Sequence, residues 1–219
     1  MYISVIIVTR NVSVCVKTLH NIMNFNRLCI SNGVQVEINF VNDEPFDKMK
    51  LIMKKLKTSD RLLFIDYGVC MDSESIIRSV KPFEKGWNGV VFPGVKEGID
   101  WDVFKKKVKA ESKEPNYQKG LNFDTVVTTP ITGQDNYKIK TTNPKSWVVD
   151  CKHVVKCLRE KKGGGLALPA KMDELFVKMI DKGVKLYAFI GAHLVINYQH
   201  ECVGNILQSA NVTRDSGVS

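Results

Sequence analysis

Apolar and polar positions alternate along this chain in blocks whose period switches between strand-like and helix-like. Tyr2 to Val8 is a β-branched apolar run that stops on Thr9-Arg10-Asn11, which predicts a buried strand ending in polar groups. Val12, Val16, Leu19 and Met23 then recur at helical spacing, with Ser13 near the start, and predict a helix with that stripe inward. After the Asn32-Gly33 turn signal, Val34, Val36, Ile38 and Phe40 alternate with polar residues as in a second strand. Pro45 stops it, and a lysine-rich helix follows from Phe46 to Leu56, with Met49, Ile52, Met53 and Leu56 on one face. Leu62 to Ile65 is too short for a helix and suits a strand covered on both faces.

Asp72-Ser73-Glu74 opens a further helix with Ile76, Ile77 and Val80 on its apolar side, and Gly89 to Phe92 reads as a short strand. Asp100-Trp101-Asp102 precedes another helical pattern; its carboxylates suit either the first turn of that helix or a metal. Prolines and glycines break up Glu111 to Pro144, where Phe123 to Val127 and Tyr137 to Thr141 suggest a hairpin-like excursion from the main sheet. Ser146 to Val149 is a strand candidate, Asp150 begins a helix through Leu158, and Lys161-Lys162-Gly163-Gly164-Gly165 is a basic loop, either a lid or a plain linker. Met172 to Lys182 is amphipathic, with Leu175, Phe176, Met179 and Ile180 inward and Gly183 as its stop. Val184 to Phe189 and His193 to Tyr198 complete the strands. Strand and helix alternate from the start, so the expected fold is α/β, a mainly parallel central sheet flanked by helices with a small added β excursion.

Charge and cysteine narrow the setting. A chain of 219 residues with a formal net charge of +9 suits an anionic partner, yet no zinc-finger spacing or aromatic RNA-reading motif accompanies the lysines, and no nucleic-acid partner is expected. Most lysines, including Lys48, Lys50, Lys54, Lys55 and Lys57, read as solvated helix face. The six cysteines form no Cys-x-x-Cys pair and read as free thiols of a reducing, cytoplasmic setting. No apolar run approaches the roughly 18 residues of a membrane span, and a signal-peptide pattern is lacking.

The familiar phosphate cradles, Gly-x-Gly-x-x-Gly and Gly-x-x-x-x-Gly-Lys-Ser/Thr, are absent, as is a Gly-x-Ser-x-Gly elbow. What remains is a set of carboxylates placed after strands or at a helix start: Asp43, Asp66 and Asp173-Glu174, with His200 late in the chain. Ligands of open α/β sheets bind at the carboxyl ends of the strands, so Asp66 either serves a ligand there or caps the following turn. A hard cation such as Mg2+ or Mn2+, held by carboxylates and diphosphate oxygens, would use such a set.

Ser4 to Asn11, Asn39-Phe-Val-Asn-Asp43, Leu63-Phe-Ile-Asp-Tyr-Gly-Val69, Gly163 to Gly165 and Asp173-Glu-Leu-Phe176 through Gly183 together resemble the GT-A, family 2-like nucleotide-sugar glycosyltransferases. Trp101 to Thr128 and Asn143 to Trp147 look similar to glycosyltransferases of large algal DNA viruses and phages. The resemblance implies one GT-A-like domain over residues 1–210, with a nucleotide-binding half about 1–95, an acceptor and catalytic half about 96–210, and a flexible tail 211–219. It implies transfer of a sugar from a UDP- or GDP-sugar to a hydroxyl of a glycan or protein-linked acceptor, with inversion and Mn2+ or Mg2+. Thr9, Arg10, Asn11, Asp43, Asp66, Tyr67 and Gly68 would then bind the donor, Asp66 and His200 the metal, and Asp173 or Glu174 would act as base. The second Asp of the family's Asp-x-Asp is replaced by Gly68. That opens a metal-independent reaction or a catalytically inactive GT-A-like binding domain as alternatives; a nucleotidyltransferase is a further one, although Val8 to Ser13 lacks the Gly-rich basic signature such enzymes usually carry after the first strand.

Overall fold

The computed structural model describes residues 1–96, 98–116, 119–131, 135–160, 165–166, 168–169, 171–191 and 195–196. Their contacts divide into two units. The larger holds Met1–Gly94 and Asp124–Ile196; among described residues the smaller is Val95–Phe123.

The larger unit is an eight-stranded sheet. Strands β1 (Tyr2–Thr9), β2 (Gln35–Asn42) and β3 (Arg61–Ile65) lie side by side and parallel, in the order β2-β1-β3. The sheet continues through β8 (Ser146–Asp150), β5 (Gly89–Phe92), β9 (Leu186–Phe189), β7 (Asn136–Thr142) and β6 (Thr125–Pro130). β8 runs antiparallel to both β3 and β5, β5 and β9 are parallel, and β7 and β6 close the edge as an antiparallel hairpin. The α/β expectation holds, with parallel pairing in the β2-β1-β3 block and a mixed sheet overall. β8 joins the sheet after residues 95–145, and an antiparallel neighbour needs no helical crossover of the kind parallel strands require. A second, two-stranded sheet pairs β4 (Val69–Cys70) with β10 (Val195–Ile196). Of the expected strand His193–Tyr198, that segment alone is described.

Both faces of the main sheet are covered. On one, α2 (Pro45–Thr58), α5 (Cys151–Leu158) and α6 (Met172–Asp181) bury Ile52, Leu56, Val154, Leu175 and Phe176 against Phe64, Trp147 and Val149. There Trp147 stacks on Phe64, centroids 5.3 Å apart, and meets Phe176 edge-on at 5.5 Å. On the other, α1 (Val16–Ser31) and α3 (Ser73–Val80) cover Ile3, Val5, Leu63 and Val148. The inward stripe of α1 is not the expected one. Thr18, Ile22, Phe25 and Cys29 are buried, whereas Val12, Val16 and Met23 are 95%, 80% and 64% exposed. Thr18 leads the buried stripe because its hydroxyl donates to the Val69 carbonyl at 2.7 Å, so a polar residue sits where hydropathy looks for an apolar one.

In the smaller unit, α4 (Trp101–Lys109) is capped by Asp100, whose Oδ1 accepts from the Asp102 and Val103 amides at 3.1 and 2.9 Å. Of the two uses open to this acidic cluster, capping is the one the hydrogen bonds display for Asp100.

Candidate functional site

Parallel register decides what the main sheet gathers at one rim. Thr9 lies opposite Asn42, and Ile7 opposite Ile65, so β1, β2 and β3 end together and release Arg10, Asp43 and Asp66 at the same edge. The Asp43 amide donates to the Thr9 carbonyl at 2.8 Å, extending the ladder one residue into the site.

Arg10 starts a tight turn in which its backbone and that of Ser13 exchange hydrogen bonds of 3.2 and 2.9 Å. Asn11 and Val12 occupy the centre with φ of 49° and 60°. Left-handed backbone is costly for β-branched Val12, so the turn carries strain beside the rim. Arg10 Nε donates to Asp43 Oδ2 at 2.8 Å, and its guanidinium lies 4.9 Å from the Tyr67 ring centroid. Lys48, from the first turns of α2, donates to Asp43 Oδ1 at 2.5 Å. Burial pushes the Asp43 carboxyl up, but the hydrogen bonds from Lys48 and Arg10 outweigh it and hold the group below the usual carboxylate range. Thr9 turns its hydroxyl to the Val41 carbonyl at 3.2 Å and supports the end of β2.

Asp66 follows β3. Its amide donates to the Lys145 carbonyl at 2.8 Å, and its Oδ1 accepts from the Tyr67 amide at 2.9 Å. Burial raises its pKa; the Tyr67 amide and the charges of Lys48 and Lys145 offset part of that rise. Gly68, with φ of 71°, lets the chain turn back into β4.

α6 leads through a short turn into the start of β9, which runs in the same direction as β3. Its first turn carries Asp173 and Glu174, and Phe176 is seated on Trp147 of the strand beside β3. Glu174 is exposed; the side chain of Asp173 falls outside the described residues, as do His200 and Gly163-Gly164.

Sequence reasoning placed Lys48 and Lys55 on a solvated helix face and gave Lys145 and Asp124 no role. Lys48 and Lys55 are turned inward rather than solvated: Lys55 is buried and pairs with Glu37 at 2.6 Å. Their seven-residue spacing, which places both on the Met49-Ile52-Leu56 face of α2, was the available signal. Asp124 gave no local signal. It is 6% exposed, accepts from the Gly94 amide with both oxygens at 3.1 Å and from Thr125 Oγ1 at 2.7 Å, and receives the Lys145 amide at 3.4 Å. Burial raises its pKa as well.

The expected divalent cation fits the described donors poorly. Among the described residues no three His, Cys, Asp or Glu side chains converge, Gly68 stands where a second carboxylate is needed, and Asp43 is already engaged by two cations. A separate cavity of about 290 Å3 along α3, lined by Arg78, Lys81, Asp135 and Phe189 among others, includes none of the rim residues.

No protein-family model matches the chain, and no curated protein matches it. Solved structures do. A197 from STIV aligns over 91% of this chain and 87% of its own, at 11% identity and a TM-score of 0.51. GalNAc-T7, solved with UDP, GalNAc and Mn2+, aligns over 91% of this chain at 14% identity and a TM-score of 0.52; the match spans 44% of that protein, less than half its length. A 4-diphosphocytidyl-2C-methyl-D-erythritol synthase from Anaerococcus prevotii aligns over 97% of this chain and 99% of its own at 15% identity, and its TM-score of 0.45 adds no weight. No helix among the described residues is long and apolar enough to cross a membrane. Glycosyltransferases stand among the structural neighbours beside nucleotidyltransferases, and at these identities the likeness is one of fold: the chain has a GT-A-like α/β fold.

Proposed function

We propose that the chain is a glycosyltransferase that moves a sugar from a nucleoside-diphosphate donor to a hydroxyl acceptor with inversion. The observation that carries this reading is the convergence of Arg10, Asp43 and Asp66 at the common end of three adjacent parallel strands. Rims of this kind are where open α/β sheets take nucleotides.

In this reading Asp43, kept ionised by Lys48 and Arg10, accepts hydrogen bonds from the nucleoside, and the Arg10 turn borders the donor. Asp66, whose burial favours its neutral form, faces the ribose and the sugar-phosphate link. Asp173 or Glu174 takes the proton from the acceptor hydroxyl as its oxygen attacks the anomeric carbon. The bond from that carbon to the diphosphate oxygen breaks on the opposite side, and the diphosphate leaves with the electron pair. Every step above uses the chain's own residues.

Isothermal calorimetry with UDP and GDP, in Mn2+ and in EDTA, tests the proposal. Binding of either nucleotide in the micromolar to millimolar range is expected; absence of binding under all four conditions refutes it.

A further inference from the structure

We propose that Lys145 is the fixed positive charge for the donor's diphosphate, held in position by the buried carboxylate of Asp124, in the place a divalent cation would otherwise take. The proposal rests on the glycosyltransferase reading and concerns the same rim.

A diphosphate leaving group gathers negative charge as its bond to the sugar breaks, so the site needs a cation aimed at it. The described carboxylates do not build a cage for a metal. Asp43 is occupied by Arg10 and Lys48, and Asp66 stands without the second Asp. What the Asp66 turn does have is Lys145, the residue immediately before β8. Its backbone is fixed on both sides: the carbonyl accepts the Asp66 amide at 2.8 Å, and the amide reaches Asp124 Oδ2 at 3.4 Å. Asp124 is itself pinned by the Gly94 amide and by Thr125 Oγ1, which in turn lies 2.7 Å from Thr142 Oγ1. The root of the Lys145 side chain is therefore set by a buried network rather than by a free loop, the preorganisation that electrostatic stabilisation requires. The ammonium is within electrostatic reach of both carboxylates. Lysine is an established point-charge partner for phosphate.

The test compares UDP and GDP with uridine and guanosine, titrated into the whole chain in EDTA; the affinity ratio of nucleotide to nucleoside isolates the diphosphate. In the wild type the nucleotide binds more tightly than the nucleoside without metal. Lys145→Met lowers that ratio about tenfold or more, as expected for loss of a hydrogen bond to a charged group, while nucleoside affinity stays unchanged. Lys145→Arg retains most of it. Asp124→Asn, tested as a positioning variant, lowers the ratio in part and leaves nucleoside binding intact; a merely structural role would weaken both together. Should that variant fail to fold, the Lys145 pair decides alone. Nucleotide binding that requires Mn2+, or a ratio unmoved by Lys145→Met, overturns this inference and leaves the glycosyltransferase reading standing. Failure to bind any nucleoside or nucleotide removes both.

Discussion

Removing Glu37 should cost more than removing its partner Lys55, and the asymmetry can be worked from exposure. Lys55 is 5% exposed and its ammonium lies 2.6 Å from Glu37 Oε1; the Tyr2 hydroxyl donates to the other oxygen, and Ser4 Oγ donates to it at 3.2 Å. Glu37→Leu leaves a buried ammonium without its anion, a change that costs about 3–5 kcal/mol in dry interiors. The glutamate side chain is 39% exposed, so water shares the loss and about 2–3 kcal/mol is expected. Lys55→Met keeps the aliphatic packing and leaves Glu37 with Tyr2, Ser4 and water, for about 1 kcal/mol. The double variant should resemble Lys55→Met, giving a coupling of about 2 kcal/mol in a cycle measured by urea unfolding. The pH dependence has a definite sign. Lys55, and after it Tyr2, hold the Glu37 pKa down to about 2 from an ordinary value of 4.5. The stability this contributes is complete above the unfolded value and is lost as pH falls from about 4.5 toward 2. In Lys55→Met that acid loss should shrink. Equal costs for the two single variants, additive costs, or an unchanged acid limb would each refute the reasoning.

Other outcomes follow from the rim and the core. Asp66→Asn should leave the melting temperature at neutral pH unchanged or higher, because ionising a carboxyl whose folded pKa is raised opposes folding; wild-type stability correspondingly rises as pH falls through that folded pKa. The same variant should lose on the order of a hundredfold in sugar transfer, and a clear drop in melting temperature would make Asp66 structural instead. Phe176→Ala, which empties the site against Trp147, should cost about 3–5 kcal/mol in urea unfolding, against about 0.5 kcal/mol or less for exposed Val177→Ala on the same helix; similar values for both would mean α6 is not anchored there. Gly68→Ala forces a side chain onto φ of 71° and should cost about 1 kcal/mol or more, read from the same unfolding curves.

The parts of the fold legible in the sequence are those whose cause is local. Tyr2 to Val8 and Leu62 to Ile65 announce buried strands, and α2 and α6 announce themselves by a 3.6-residue period. The register that brings Asp43 and Asp66 together follows from placing both just after such strands. Local pattern misled where a polar side chain was satisfied by a distant partner: Thr18 by Val69, Lys55 by Glu37, Lys48 by Asp43. Hydropathy assigns such residues to solvent, since the carbonyl or carboxylate that completes them is elsewhere in the chain. Asp124 is the extreme case, a lone acid in a segment broken by proline and glycine, whose partners Gly94 and Lys145 lie 30 and 21 residues away.

The way the chain leaves and rejoins the sheet at that residue has an engineering consequence. Gly94 and Asp124 hold each other by amide, carbonyl and carboxylate, so the 95–123 segment departs and returns through one stitched doorway. Nothing in the strand order of the sheet depends on what is threaded between the two posts. A short glycine-serine bridge in its place should leave the sheet able to fold, and unrelated segments of different length could be grafted there as interchangeable modules.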